Sequence, residues 1–192
     1  MPILIVDNGT SYLAQLSRLV QHAETVVVSW HDISGSDALA GYAGAILSGG
    51  HQLPIAGNEE KFANEIEMVR SASVPVLGVC FGFELIAVAF GGHLQEMPHG
   101  EKGMLDMDAI THDPVFSGVK HFRVHENHRW VAKDLPPELV PLAVSRDGVE
   151  IIRHITKPIY GFQFHPELVE DCDDGRQLFE NATKLLFPGS RF

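Results

Sequence analysis

Short, wholly apolar runs alternate with longer amphipathic ones through the first half of the chain. "ILIV" (3–6), "TVVVS" (25–29), "GAIL" (44–47) and "VPVLGV" (74–79) are rich in β-branched residues and apolar at consecutive positions. That is the pattern of strands buried on both faces of a parallel sheet. Residues 10–22, 36–40 and 58–71 lie between them, start with polar residues and read as helices, and an apolar helix over 83–90 follows the fourth strand. This β-α-β-α order predicts an α/β fold, a doubly wound, mostly parallel sheet with helices on both faces. Ligands of such sheets bind beyond the carboxyl ends of the strands, where Asp7-Asn8-Gly9, Ser48-Gly49-Gly50 and Cys80 fall.

The second half reads differently. Residues 93–110, 121–124, 139–144, 149–155 and 159–164 form shorter runs joined by polar turns such as "SRDG", which predicts a small antiparallel extension. A closing helix over 173–187 would turn Leu178, Phe179, Leu185 and Leu186 toward the core. With no linker, repeat or low-complexity segment, residues 1–192 read as one domain.

Composition narrows the function. Fourteen Lys and Arg against 25 Asp and Glu give a formal charge of −11, which argues against a nucleic-acid partner. No apolar run approaches the roughly 20 residues of a membrane span. "MPILIVDNGT" enters a strand at once with no basic leader, so the expectation is a soluble, cytoplasmic protein with no membrane partner. The two cysteines, Cys80 and Cys172, read as cytosolic thiols, Cys172 as an inert one in the polar run "VEDCDDGRQ".

Cys80 is placed for chemistry. In "PVLGVCFGFELIAVAFGG" it sits where a strand stops and a helix begins, inside Gly-x-Cys-x-Gly. A nucleophile elbow needs this spacing, because side chains at the flanking positions would clash in so tight a turn. The helix N-terminus would favour thiolate. A nucleophile needs a base and the base an orienting group. In "YGFQFHPEL" a strand delivers His165 at its carboxyl end, and Glu167 stands two residues on, able to hold the imidazole. Backbone amides of Gly50 and Phe81 are the natural oxyanion donors. His125 and His128 lack further ligands at metal-binding spacing, so no metal is expected, and no cofactor is implied.

"GVCFG" followed by "QFHPE", with "ILIVDNG" and "ILSGG" before them, resembles the class I glutamine amidotransferases over nearly the whole chain. The resemblance implies a flavodoxin-like amidotransferase domain. It implies that Cys80 attacks the side-chain amide of glutamine, assisted by His165 and Glu167, and that a glutamyl thioester is hydrolysed while ammonia passes to a separate synthetase subunit. Within the family the glutaminase subunits of GMP synthetases, enzymes of purine biosynthesis, are nearest. "VHENHRW" resembles the segment that holds the amino-acid end of glutamine, which places Asn127, His128, Arg129 and Trp130 at the substrate.

Three positions depart from the family pattern. Glu84 replaces the usual Gln four residues after the nucleophile, His51 replaces a Pro after "SGG", and Trp130 stands where the GMP synthetase subunits carry Asp. Glu84 therefore joins the candidate substrate residues. γ-Glutamyl hydrolases resemble the chain here, having Gly-Phe-Glu after their nucleophile, so hydrolysis of a γ-glutamyl amide or peptide stands as the alternative enzyme reading. A non-catalytic regulatory binder is the third.

Overall fold

The computed structural model describes residues 1–50, 52–119, 122–168 and 174–188. Ten strands and four α-helices follow one another in the order β1 (Ile3–Asp7), α1 (Leu13–Leu19), β2 (Thr25–Ser29), β3 (Gly44–Leu47), α2 (Ala63–Ser71), β4 (Val76–Val79), α3 (Phe81–Ala89), β5 (His93–Asp106), β6 (Asp108–Ala109), β7 (Arg123–Lys133), β8 (Leu139–Val144), β9 (Val149–His154), β10 (Ile159–Phe162) and α4 (Gly175–Leu186). Eight strands make the main sheet, ordered β2-β1-β3-β4-β10-β9-β8-β6. Its first five strands are parallel, and β9, β8 and β6 continue it antiparallel. β5 and β7 form a separate antiparallel pair.

Helices cover both faces of the sheet. Leu16 of α1 and Leu178, Phe179 and Ala182 of α4 pack on one side against Ile3, Ile5, Ile46 and Phe162. Met68 and Val69 of α2 and Leu85 and Ile86 of α3 pack on the other against Leu4, Val6, Leu47 and Val76. Each of the larger of these side chains, withdrawn from water, contributes about 1.5–3 kcal/mol. Because a strand's side chains alternate between faces, the unbroken apolar runs of β1, β3 and β4 feed both cores at once.

Several sequence expectations need correcting. Residues 36–40 form successive i→i+3 turns, with Ala38 N–H donating to Gly35 C=O and Ala40 N–H to Asp37 C=O. Gly35 and Gly41 bracket the segment with φ of 86° each, leaving no length for a helix. β2 is an edge strand with Val26 and Val27 exposed, not buried on both faces. α1 starts only at Leu13, after the Asp7 carboxylate has taken the amides of Gly9 and Thr10 into a turn. The strand expected over 121–124 is β7, which continues to Lys133 and so carries the "VHENHRW" segment itself. Leu185 is exposed rather than part of the apolar stripe of α4. His51, Cys172 and the expected helix start at Asp173 lie outside the described residues.

Candidate active site

β4 ends at Val79, and Cys80 turns the chain into α3 with φ 49° and ψ −103°. A non-glycine residue in this region costs of the order of 1–3 kcal/mol and persists only where the surroundings over-determine it. Here they do. A Cβ at Gly78 would lie 2.5 Å from the Gly82 backbone, and one at Gly82 would lie 2.5 Å from the Leu47 carbonyl oxygen. Cys80 N–H donates to Phe162 C=O of β10 at 2.7 Å, and Glu84 N–H closes the first helical turn on Cys80 C=O.

The candidate base follows β10. His165 stands three residues beyond Phe162, and its own N–H donates to His125 C=O of β7 at 2.8 Å. His165 Nδ1 lies 2.8 Å from Glu167 Oε1. A carboxylate only accepts, so a proton sits on Nδ1, while Nε2 is buried. Gly49 is the spacer between the partners: a Cβ there would meet His165 Cε1 at 3.2 Å and Cys80 Cβ at 3.8 Å. The Cys80 Sγ points to Asn127 C=O at 3.9 Å.

Burial, followed by the nearby carboxylates of Glu84, Glu126 and Glu167, pushes the Cys80 thiol well above its ordinary range, against a smaller lowering by the Phe81 amide. The helix N-terminus therefore does not make a standing thiolate, and Cys80 rests as a thiol.

A pocket of about 660 Å³ opens over the cysteine. Gly50, Phe81 and Glu84 line it on one side, and Asn127, His128, Arg129 and Trp130 on the other. All the residues expected at the oxyanion and at the substrate thus share one cavity with Cys80. Gly50 and Phe81 converge, since a Cβ on Gly50 would touch the Phe81 ring at 3.2 Å and Asn8 C=O at 2.6 Å. The Gly50 loop is fixed from behind: Asn8 N–H donates to Ser48 Oγ at 2.9 Å, and Asn8 Nδ2 donates to Ser48 C=O and to Glu65 Oε1. Glu167 borders a second cavity with Tyr12, Arg18, Lys102 and Arg176.

Sequence reasoning missed Glu65, Glu126 and Glu150, and the burial of Glu84 and His128. Glu65 sits inside α2 with its carboxyl pushed up to about 7 by burial. Glu84 is buried too, accepts from Gln163 Nε2 at 3.4 Å, and is likewise pushed up to about 7. Glu126, His128 and Glu150 bring one ligand-type atom each within 4.8 Å of one another. His128 thus acquires Glu126 of its own strand and, from β9, a neighbour that sequence spacing did not show. A carboxylate in an apolar-flanked strand, "VEIIRH", was the one available signal for Glu150.

A cysteine turn with elbow geometry at the end of a central parallel strand, with a His-Glu pair just beyond the adjacent strand, is the arrangement a cysteine-dependent hydrolytic site would use. The family model for glutamine amidotransferase class-I matches residues 4–185, and the chain belongs to that family. It is 34% identical over 191 residues to the glutamine-hydrolysing chain of GMP synthase from Pyrococcus abyssi, covering 95% of this chain and 97% of the relative. Its counterpart from Methanococcoides burtonii is 36% identical over 190 residues, with 96% of each chain covered. Among solved structures, a putative GMP synthase chain of the same kind from Thermoplasma acidophilum superposes with a TM-score of 0.84 at 30% identity, covering 97% of this chain and 94% of that one. A glutamine amidotransferase from Thermotoga maritima, at 16% identity and a TM-score of 0.71 over 96% of this chain and 81% of that one, shares the fold. The chain is a glutamine amidotransferase with the class I fold.

Proposed function

We propose that the chain is the glutaminase subunit of a two-subunit GMP synthase, hydrolysing glutamine to glutamate and ammonia and handing the ammonia to a separate synthetase. The hydrogen bond of 2.8 Å from His165 Nδ1 to Glu167 carries the chemistry. It leaves Nε2 to take the thiol proton of Cys80 as the sulfur attacks the amide carbon of glutamine. The oxyanion forms against the amides of Gly50 and Phe81, each such donor contributing about 3–4 kcal/mol in comparable sites. His165 then gives the proton to the departing nitrogen, which leaves as ammonia, and a water hydrolyses the thioester. Arg129 and Trp130 on the opposite pocket wall hold the amino-acid end. The partner is supported by the near full-length likeness to the glutamine-hydrolysing chains of GMP synthases.

The thiol held above its ordinary range fits a subunit that idles alone, where Sγ faces a carbonyl rather than the base. The test is Cys80→Ala with its synthetase present: glutamine-dependent product formation should vanish while ammonia-dependent formation remains. A diazo-ketone analogue of glutamine should label Cys80 and leave Cys172 unmodified. Glutamine turnover surviving in Cys80→Ala would overturn the assignment.

A further inference from the structure

The two sheets meet at a polar joint to which the hydrolysis of glutamine assigns no step. Glu126 and His128 belong to β7 of the two-stranded sheet, Glu150 to β9 of the main sheet, and all three are buried. His128 Nδ1 lies 2.9 Å from Trp130 C=O, which only accepts, so Nδ1 carries a proton and Nε2 is left facing Glu126 Oε2 at 3.3 Å. An unprotonated imidazole nitrogen and an ionised carboxylate would set lone pair against lone pair at this distance, so one of the two carries a proton. Ser145 Oγ accepts from Asp147 N–H at 3.0 Å and therefore turns its own proton to Glu150 Oε1 at 2.6 Å. Two carboxyl groups, Glu126 and Glu150, remain close together away from water, which demands a second proton. With two protons the three bases carry no net charge.

The backbone around this joint holds both reacting side chains. His125 C=O, one residue before Glu126, anchors His165 N–H at 2.8 Å, and Asn127 C=O, one residue after it, faces Cys80 Sγ. Glu150 C=O accepts from Gln163 N–H at 2.8 Å, two residues before His165. We propose that Glu126, His128 and Glu150 are a proton-sharing joint between the two sheets, and that Glu150, through it, is a positioning residue for the Cys80–His165 pair. The inference rests on Cys80 being the nucleophile. Burial, first, and the Glu126 carboxylate push Glu150 well above the ordinary carboxylate range, the direction that a proton shared in the joint requires.

Other charged groups face the joint. From α3, Glu84 lies near His128 and bonds to Gln163 of the stretch after β10. On β5, Glu101 stands opposite His128 and is taken by Arg146 at 2.6 Å, while Lys102 stands opposite Asn127. Asp147 is on the Ser145–Gly148 turn. None of these changes between wild type and a Glu150 variant, so the comparison isolates the joint.

The experiment measures labelling of Cys80 by the diazo-ketone glutamine analogue, across pH, in the full chain and in Glu150→Gln and Glu150→Ala. An amide accepts from Ser145 and donates to Glu126 as the protonated acid does, so Glu150→Gln should match wild type at neutral pH. At alkaline pH, where wild type loses its second proton and accumulates charge beside the thiol, Glu150→Gln should label faster, by about tenfold. Glu150→Ala should label about tenfold more slowly than wild type at neutral pH. If the Ala variant fails to fold, the Gln variant against wild type still decides. Superimposable pH profiles for wild type and Glu150→Gln, or loss of labelling in Glu150→Gln at every pH, would overturn the proposal. So would a stoichiometric divalent metal in the purified protein that Glu150→Gln abolishes. Failure of Cys80 to be labelled in wild type would instead strike the assignment of the nucleophile.

Discussion

Glu84 stands one helical turn beyond Cys80, lines the same pocket, and holds a carboxyl pushed up to about 7, first by burial. Near neutral pH it therefore exchanges between a neutral acid and a charge that raises the Cys80 thiol. Gln in its place would keep an acceptor for Gln163 and remove the charge at every pH. Glu84→Gln should thus raise kcat/KM for glutamine at pH values above about 7, by roughly 1 kcal/mol or about fivefold, with little change below. The assay compares glutamine and a γ-glutamyl amide in both proteins, with the synthetase present. A loss for the γ-glutamyl amide alone would mark Glu84 as a selector for that substrate, as in the hydrolase alternative. Equal loss for both at all pH values would make the charge itself a substrate contact.

The elbow is a property of three elements rather than of one residue. α3 starts directly on β4 and β3 because Gly78 and Gly82 have no side chains, and Gly161 of β10, opposite Gly78, leaves room for Phe83. In Gly82→Ala the new methyl would meet the Leu47 backbone, not a flexible side-chain end, so α3 must shift. The expected cost is about 1–3 kcal/mol of stability, read as a lowered Tm, together with loss of Cys80 labelling. An unchanged Tm with full labelling would mean that the turn is looser than its contacts indicate. This element was legible in the sequence because a tight turn demands glycine at fixed spacing, and β1, β3 and β4 because burial on both faces leaves unbroken apolar runs. β7 was legible only at its start. "HENHRWVAK" mixes charge and apolar residues because, while the strand pairs with β5, the side chains of Glu126 and His128 turn inward to Glu150 of β9. No local rule marks a buried carboxylate, so Glu65 read as one more polar residue of an amphipathic helix.

Over the whole molecule the excess of acid extends inside: Glu65, Glu84, Glu126, Glu150 and Glu167 are all buried among the described residues, most of them around the catalytic end of the sheet. Such groups trade stability for function. Glu65 gives the cleanest measure, because it touches neither the cysteine nor the pocket and acts only behind the Asn8–Ser48 contact. Its carboxyl is held at about 7 in the fold against 4.5 as its ordinary value, so between these pH values the folded protein keeps a proton that the unfolded chain has released. The contribution of Glu65 to stability must then fall by about 3 kcal/mol as pH rises through this window. Glu65→Gln retains the acceptor for Asn8 Nδ2 and has no proton to lose. Its Tm should match wild type near pH 5 and exceed it near pH 8 by several degrees, at about 2–4 °C per kcal/mol for a chain of this size. Thermal unfolding of both proteins at a series of pH values measures the difference, and an offset that stays constant across the window would show that Glu65 is charged throughout.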